Sequence, residues 1–129
     1  MRPGRLHVVR RGREATVLAV GPTLGPVLAA TTGLDVTVLY ANTVRPFDED
    51  GLRNQVRGPD LVLVEPVLAG TSARLVSEAL VDVPHRLLAL GIRREELRAY
   101  GTPEQLLAAH GLDAAGIRRS LTGFLRHAA

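Results

Sequence analysis

The sequence contains no cysteine, no tryptophan and no lysine. Without cysteine there is no disulfide framework, no thiolate zinc site and no cysteine nucleophile, and thiol redox chemistry is excluded. Aromatic side chains are almost missing too: Phe47, Phe124, Tyr40 and Tyr100 are the only ones, so stacking on nucleic-acid bases is poorly provided for. No apolar run approaches the roughly 20 residues that a membrane helix needs. The short run Leu6 to Val9 is broken by Arg10 and Arg11 and lacks the length of a signal-peptide core. The default compartment is therefore the cytoplasm, and neither a membrane nor a nucleic acid is an expected partner. The net charge is only +3, carried by 16 arginines against 13 acids. Exclusive use of arginine is what a GC-rich genome produces, and the modest excess is no electrostatic footprint of nucleic-acid binding.

What the sequence does have is aliphatic core. Hydrophobic side chains make up 46% of 129 residues, which fits one compact domain spanning residues 1–129. Apolar runs alternate with amphipathic segments, the pattern of a layered α/β domain. "RLHVVR" (5–10) and "ATVLAVG" (15–21) flank the polar turn Arg11-Gly12-Arg13-Glu14 and read as a β-hairpin with Gly12 supplying a positive φ. A short helix follows, starting at a Thr23 cap or at Pro26 and stopping at Gly33. "DVTVLYA" (35–41) is a buried strand, and Asp48, Glu49 and Asp50 mark the amino terminus of the next helix.

"DLVLVEP" (60–66) is the strongest strand, and its nearly continuous apolar character places it mid-sheet with both faces covered. Alternation puts Val62 and Val64 on one face, Leu61 and Leu63 on the other. Behind a Thr71 or Ser72 cap, Ala73, Val76, Ala79 and Leu80 form one helical face, closed by Pro84. "HRLLALGI" (85–92) is the last strand. A helix capped by Thr102, with Pro103 at its first position, runs to Gly111, and a final helix runs from an Asp113 cap with Ile117, Leu121, Phe124 and Leu125 as its inward stripe.

The usual catalytic constellations fail on geometry. The turn "GPTLG" (21–25) is no phosphate loop, because Pro22 removes an amide donor from it. The imidazoles of His7, His85, His110 and His127 have no partner at i+3 or i+4 that would make a metal site on one helix face. Ser72, Ser77 and Ser120 lie in no nucleophile elbow and read as caps or solvated helix positions.

A few residues stand above this background as candidates for an interface or a cleft. Glu65 ends an apolar strand at its carboxyl edge, where open α/β sheets place their ligands; the plainer alternative is a hydrogen-bonded strand-end carboxylate. His85 opens a strand behind Pro84 and either faces a cleft or is satisfied by backbone. Arg45, in "NTVRPFD", holds a carboxylate or a neighbouring domain, or else pairs on the surface with an Asp; Asp48 reads as the cap of the following helix.

Taken in order, "VVRRGREATVLAVGPTLGPVLAA", "DVTVLYANTVRPFDEDGL", "LVLVEP" and "TPEQLLAAHGLDAAGIRRSL" resemble the carboxy-terminal domain of the transketolase family, which includes the beta subunits of 2-oxoacid dehydrogenases and deoxyxylulose-phosphate synthase. The resemblance implies a three-layer α/β/α fold whose five-stranded, mostly parallel sheet carries one antiparallel strand. It also implies that thiamine diphosphate and its divalent metal, Mg, are bound by a pyrophosphate-binding and a pyrimidine-binding domain that precede this one. Neither the Gly-Asp-Gly…Asn metal motif nor the activating glutamate of those domains is present, so this chain is expected to bind no cofactor itself. After "LVLVEP" the family has a second acidic residue and a Gly-Gly-x-Gly loop, whereas here Pro66 and "VLAGTSARL" follow.

The start at Met1, close to the first strand, favours a natural short subunit, with a fragment of a longer protein as the open alternative. The implied function is a non-catalytic subunit of a split transketolase-type enzyme, present in two copies in a dimeric holoenzyme that transfers a two-carbon ketol unit. Two alternatives stay open. One is a subunit of a 2-oxoacid dehydrogenase-like complex that engages a carrier protein. The other is an independent small-molecule module using the sheet's carboxyl edge around Glu65 and His85.

Overall fold

The computed structural model describes residues 5–44, 47–92 and 110–126. Its elements are β1 (His7–Arg10), β2 (Ala15–Val20), a 3-10 turn (Gly21–Thr23), α1 (Leu24–Ala30), β3 (Val36–Ala41), α2 (Glu49–Gln55), β4 (Asp60–Leu68), α3 (Ala73–Ala79), β5 (Arg86–Ile92) and α4 (Ala114–Arg126). The helix expected from Thr102 falls, but for its last two residues, outside the described residues, as does Arg45.

The strands form one five-stranded sheet in the order β1-β3-β2-β4-β5. β2 runs parallel to both β3 and β4, β5 runs parallel to β4, and β1 alone is antiparallel. Each parallel step is closed by a helix, because parallel neighbours need a crossover. Side-chain alternation then sorts the core. Val17, Val38, Val62 and Val64 point into one layer with Val27 of α1 and Ile117 and Leu121 of α4. Leu18, Leu39, Leu61 and Leu63 point into the other with Leu52 of α2, Val76 of α3 and Leu80 just after it. Leu61, Val62, Leu63 and Val64 are all completely buried, and each such side chain contributes roughly 1.5–3 kcal/mol of apolar transfer. Both faces of β4 are therefore dry, as its unbroken apolar run predicts.

The hairpin is a correction. β1 does not pair with β2; it crosses to the far side of β3, where His7 faces Tyr40 and Val8 faces Leu39. Gly12 is not among the glycines with positive φ. It is required for another reason: a Cβ there would collide with the backbone of Val36. The turn thus packs down onto the start of β3, and Thr37 holds it, its hydroxyl accepting from the Gly12 N–H at 3.0 Å and donating to the Gly12 carbonyl at 2.8 Å.

The helix ends match expectation in part. Asp48 caps α2 by accepting from the Gly51 N–H at 3.0 Å, and Asp113 caps α4 by accepting from Gly116 N–H at 2.9 Å. Thr23 precedes α1 but makes no cap bond to it. Its hydroxyl instead accepts from the Val20 N–H at 3.0 Å and lies 3.1 Å from the Val64 carbonyl, tying the end of β2 to β4. The carboxyl ends are served by arginine: Arg118 donates to the carbonyls of Ala30 at 3.0 Å and Thr32 at 2.8 Å, and Arg53 to that of Ala79 at 2.8 Å.

Candidate functional site

The carboxyl edge of a parallel sheet is where strand ends and helix starts converge, so ligand chemistry is sought there first. In this chain that edge is formed by the ends of β2, β3, β4 and β5. Gly21 turns the chain after β2 with φ +60, close to Pro66 and to the Asn42 carbonyl. Tyr40 and Asn42, at the end of β3, are joined by a 2.6 Å hydrogen bond from the phenol to the side-chain oxygen.

Glu65 is the one acidic side chain buried at this edge among the described residues, at 1% exposure. Strand parity turns it toward the α2–α3 layer, and its Oε1 accepts the Ser72 N–H at 3.1 Å. Ser72 is the N-cap residue of α3 but its side chain makes no cap bond. The carboxylate of Glu65 supplies the negative charge at that helix start instead, reaching across the loop from the strand. It thereby anchors the return segment 66–71. β4 continues past Glu65 and Pro66 to Leu68, with a register irregularity between Val64 and Leu68. Gly91 of β5 makes this possible, because a Cβ there would lie 2.5 Å from the Val67 carbonyl oxygen.

His85 does not join Glu65. It immediately precedes β5, whose first residue Arg86 lies beside Asp60 at the start of β4. The strands are parallel, so His85 belongs to the amino edge, about 16 Å or more along the strand direction from Glu65. Its Nδ1 lies 2.7 Å from the Val83 carbonyl. A small-molecule site built from both residues is excluded by topology. Asp48 is engaged from two sides, since beyond its cap bond it accepts the Leu6 N–H at 3.0 Å. It fixes the entry into β1 against the start of α2. Gly51 permits this, because a Cβ at that position would strike the Asp48 carboxylate.

The amino edge carries polar structure that the residue pattern did not single out. Asp60, 5% exposed, accepts from Arg86 Nε at 2.8 Å. The same guanidinium lies 4.2 Å over the ring of Phe124 and donates to its carbonyl at 3.0 Å. The hydrogen bond that Arg86 donates to Asp60, aided by the carboxylate's charge, raises the Arg86 pKa above its ordinary value. The buried Thr16 hydroxyl likewise grips Arg57, accepting from its N–H at 2.7 Å and donating to its carbonyl at 3.1 Å. These contacts pin α4 and the β-strand entry loops to the sheet. Among the described residues no three His, Asp or Glu side chains stand together as a metal-holding group, and no helix is long and apolar enough to cross a membrane.

Comparison with known proteins follows the same lines. Residues 4–117 match the family model of the transketolase C-terminal domain. The chain is 55% identical over 121 residues to an uncharacterized 33.6 kDa protein in the fasciation locus of Rhodococcoides fascians, which covers 91% of this chain and 39% of that protein. It is 43% identical over 122 residues to the 1-deoxy-D-xylulose-5-phosphate synthase of Alkalilimnicola ehrlichii, 90% of this chain but 19% of the synthase. Among solved structures, a split-gene transketolase in an inactive beta4 tetramer has the same fold, with a TM-score of 0.76 at 21% identity over 98% of this chain and 44% of that one. The chain thus spans between about a fifth and two fifths of the relatives it matches.

Proposed function

Because the chain belongs to the transketolase C-terminal domain family, we propose that it serves as the non-catalytic C-terminal-domain subunit of a divided, thiamine-diphosphate-dependent transketolase-type enzyme. Its task is assembly of the cytoplasmic holoenzyme that transfers a two-carbon ketol unit. The observation that carries this reading is the reach of the match. It takes in residues 4–117 of this chain but only 19% of a deoxyxylulose-phosphate synthase. A split-gene transketolase of the same fold is a precedent for dividing such an enzyme between chains.

The described residues do not fit the cofactor. Its pyrophosphate and metal call for a cluster of oxygen ligands, and the one buried carboxylate of the carboxyl edge, Glu65, is spent on the Ser72 N–H. Thiamine diphosphate and Mg are accordingly assigned to companion chains that carry the pyrophosphate- and pyrimidine-binding domains. What this chain contributes is a three-layer body in which Asp48, Glu65 and the Asp60–Arg86 pair tie loops at both edges of the sheet; loops held in place beforehand lower the ordering cost of docking.

Titration calorimetry of the isolated chain with thiamine diphosphate and Mg tests the assignment. The expected result is no heat of binding and no turnover of a ketol donor. Low-micromolar affinity for the cofactor overturns it.

A further inference from the structure

The two helical layers carry different charge. In the α2–α3 layer basic side chains are matched: Arg53 pairs with Asp82 at 2.6 Å and Arg74 with Glu78 at 3.5 Å, while Glu49 and Asp50 occupy the first turn of α2. In the other layer α1 has no charged residue, and α4 has three arginines and no acid within its span. Arg118 is used on the α1 carbonyls. Arg119 and Arg126 are exposed and make no ion pair among the described residues.

Helix geometry aligns these two. Positions 119, 122 and 126 fall on one outward stripe, opposite Ile117 and Leu121, with Arg119 and Arg126 about 10 Å apart along the axis. A cation in the last turn suits the helix dipole, which accounts for Arg126; Arg119 lies in the first half of α4, where the dipole gives a cation no benefit. α1 has no charged residue of its own, and its surface is low near exposed Gly25 and Ala29, with open space where a Cβ of Gly25 would stand, while Arg10 is engaged at its carboxyl end on the Leu28 carbonyl and the Thr31 hydroxyl. A partner can therefore approach the helix closely.

We propose that the α1–α4 face docks an acidic protein surface on the companion chain, with Arg119 and Arg126 as its paired charges. The inference rests on the divided-enzyme reading and names the surface that reading requires. A protein partner is favoured over a polyanion because two aligned guanidinium groups without interleaved aromatics give neither the charge density nor the stacking that nucleic acid calls for.

The test uses the full chain and a co-purified companion carrying the two cofactor domains, with affinity measured across a salt series. Arg119→Glu and the double variant Arg119→Glu/Arg126→Glu are compared with Arg74→Glu, an equal charge change on the opposite layer. Melting curves check that every variant folds. The expected result is an affinity loss of about tenfold or more for the α4 variants, with a flattened salt dependence, and little change for Arg74→Glu. If the wild type binds and the α4 and α3 variants weaken it equally, or not at all, the docking face is wrong while the divided-enzyme reading stands. Tighter binding of a 20-base-pair DNA duplex than of the companion overturns the protein partner. Absence of any complex with wild type overturns the divided-enzyme reading itself, and the docking face with it.

Discussion

The α2–α3 layer and the α1–α4 layer both pack apolar side chains against the same sheet, yet they treat the solvent differently. The first closes its charges on itself, through Arg53 with Asp82 and Arg74 with Glu78. The second uses one arginine to hold α1 to α4, and Arg119 and Arg126 on the outer stripe of α4 make no ion pair among the described residues. The lesson is that burial and surface charge answer to separate demands. Both faces of β4 must be dry, so apolar side chains cover both, while the outward charges are under no such constraint.

The comparison breaks most easily at the core. Val64→Asp charges the α1–α4 side of β4 and Leu63→Asp the α2–α3 side, and both positions are fully buried. Each should cost several kcal/mol out of a total near 5–15 kcal/mol, since an unpaired carboxylate in an apolar layer finds no partner. Urea unfolding of the pair measures it. A mild effect, below about 1 kcal/mol, at either site would mean that one face is not truly covered.

A smaller contrast lies within α4. A Cβ on Gly116 would sit 2.5 Å from the Gly111 carbonyl oxygen, whereas one on Gly123 would meet nothing within 4 Å. Gly116→Ala should therefore destabilise by roughly 1–3 kcal/mol through forced displacement of the turn. Gly123→Ala should stabilise by about 0.4–1 kcal/mol through the lost freedom of the unfolded chain. Thermal melts of the two variants should shift in opposite directions, and shifts of the same sign would contradict the packing of the first turn of the helix against Gly111.

The smallest effect concerns the self-paired layer. A hydrogen bond from Arg53 first, then one from the Asp82 backbone, holds the Asp82 carboxyl below its ordinary value near 3.8. A depressed folded-state pKa contributes stability that is fully present above the unfolded value and is lost as pH falls through the folded one. The pair is solvent-exposed, so the contribution is modest. The gap in urea midpoint between wild type and Asp82→Asn should be constant from neutral pH down to about pH 5 and should close below the ordinary carboxylate range. A gap that widens on acidification would show that another group is responsible.

Much of this architecture is legible in the residues, and what is not has a physical reason. The run at 60–64 shows that β4 is central, and Asp48 and Asp113 show where helices begin, because these signals are local. The pairing of β1 is not local: a four-residue polar turn with a glycine fits a hairpin equally well, and only contact with Val36 reveals that Gly12 is needed for close approach. The Asp60–Arg86–Phe124 cluster depends on parallel register and on where α4 returns. The carboxylate of Glu65 reads as hydrogen-bonded, but its donor, Ser72, is fixed by the path of the loop. The separation of Glu65 from His85 was within reach of the sequence, since in any parallel pair the end of one strand and the start of the next lie at opposite edges. Arg119 carries no motif, and it stands out only because it makes no ion pair among the described residues.

The central claim is that this domain works only as part of a larger assembly. Co-expression with companion chains carrying the pyrophosphate- and pyrimidine-binding domains, followed by size-exclusion chromatography with light scattering at micromolar concentration, tests it most directly. The expected result is one stable complex whose mass includes two copies of this chain. Separate elution of the chains would contradict it.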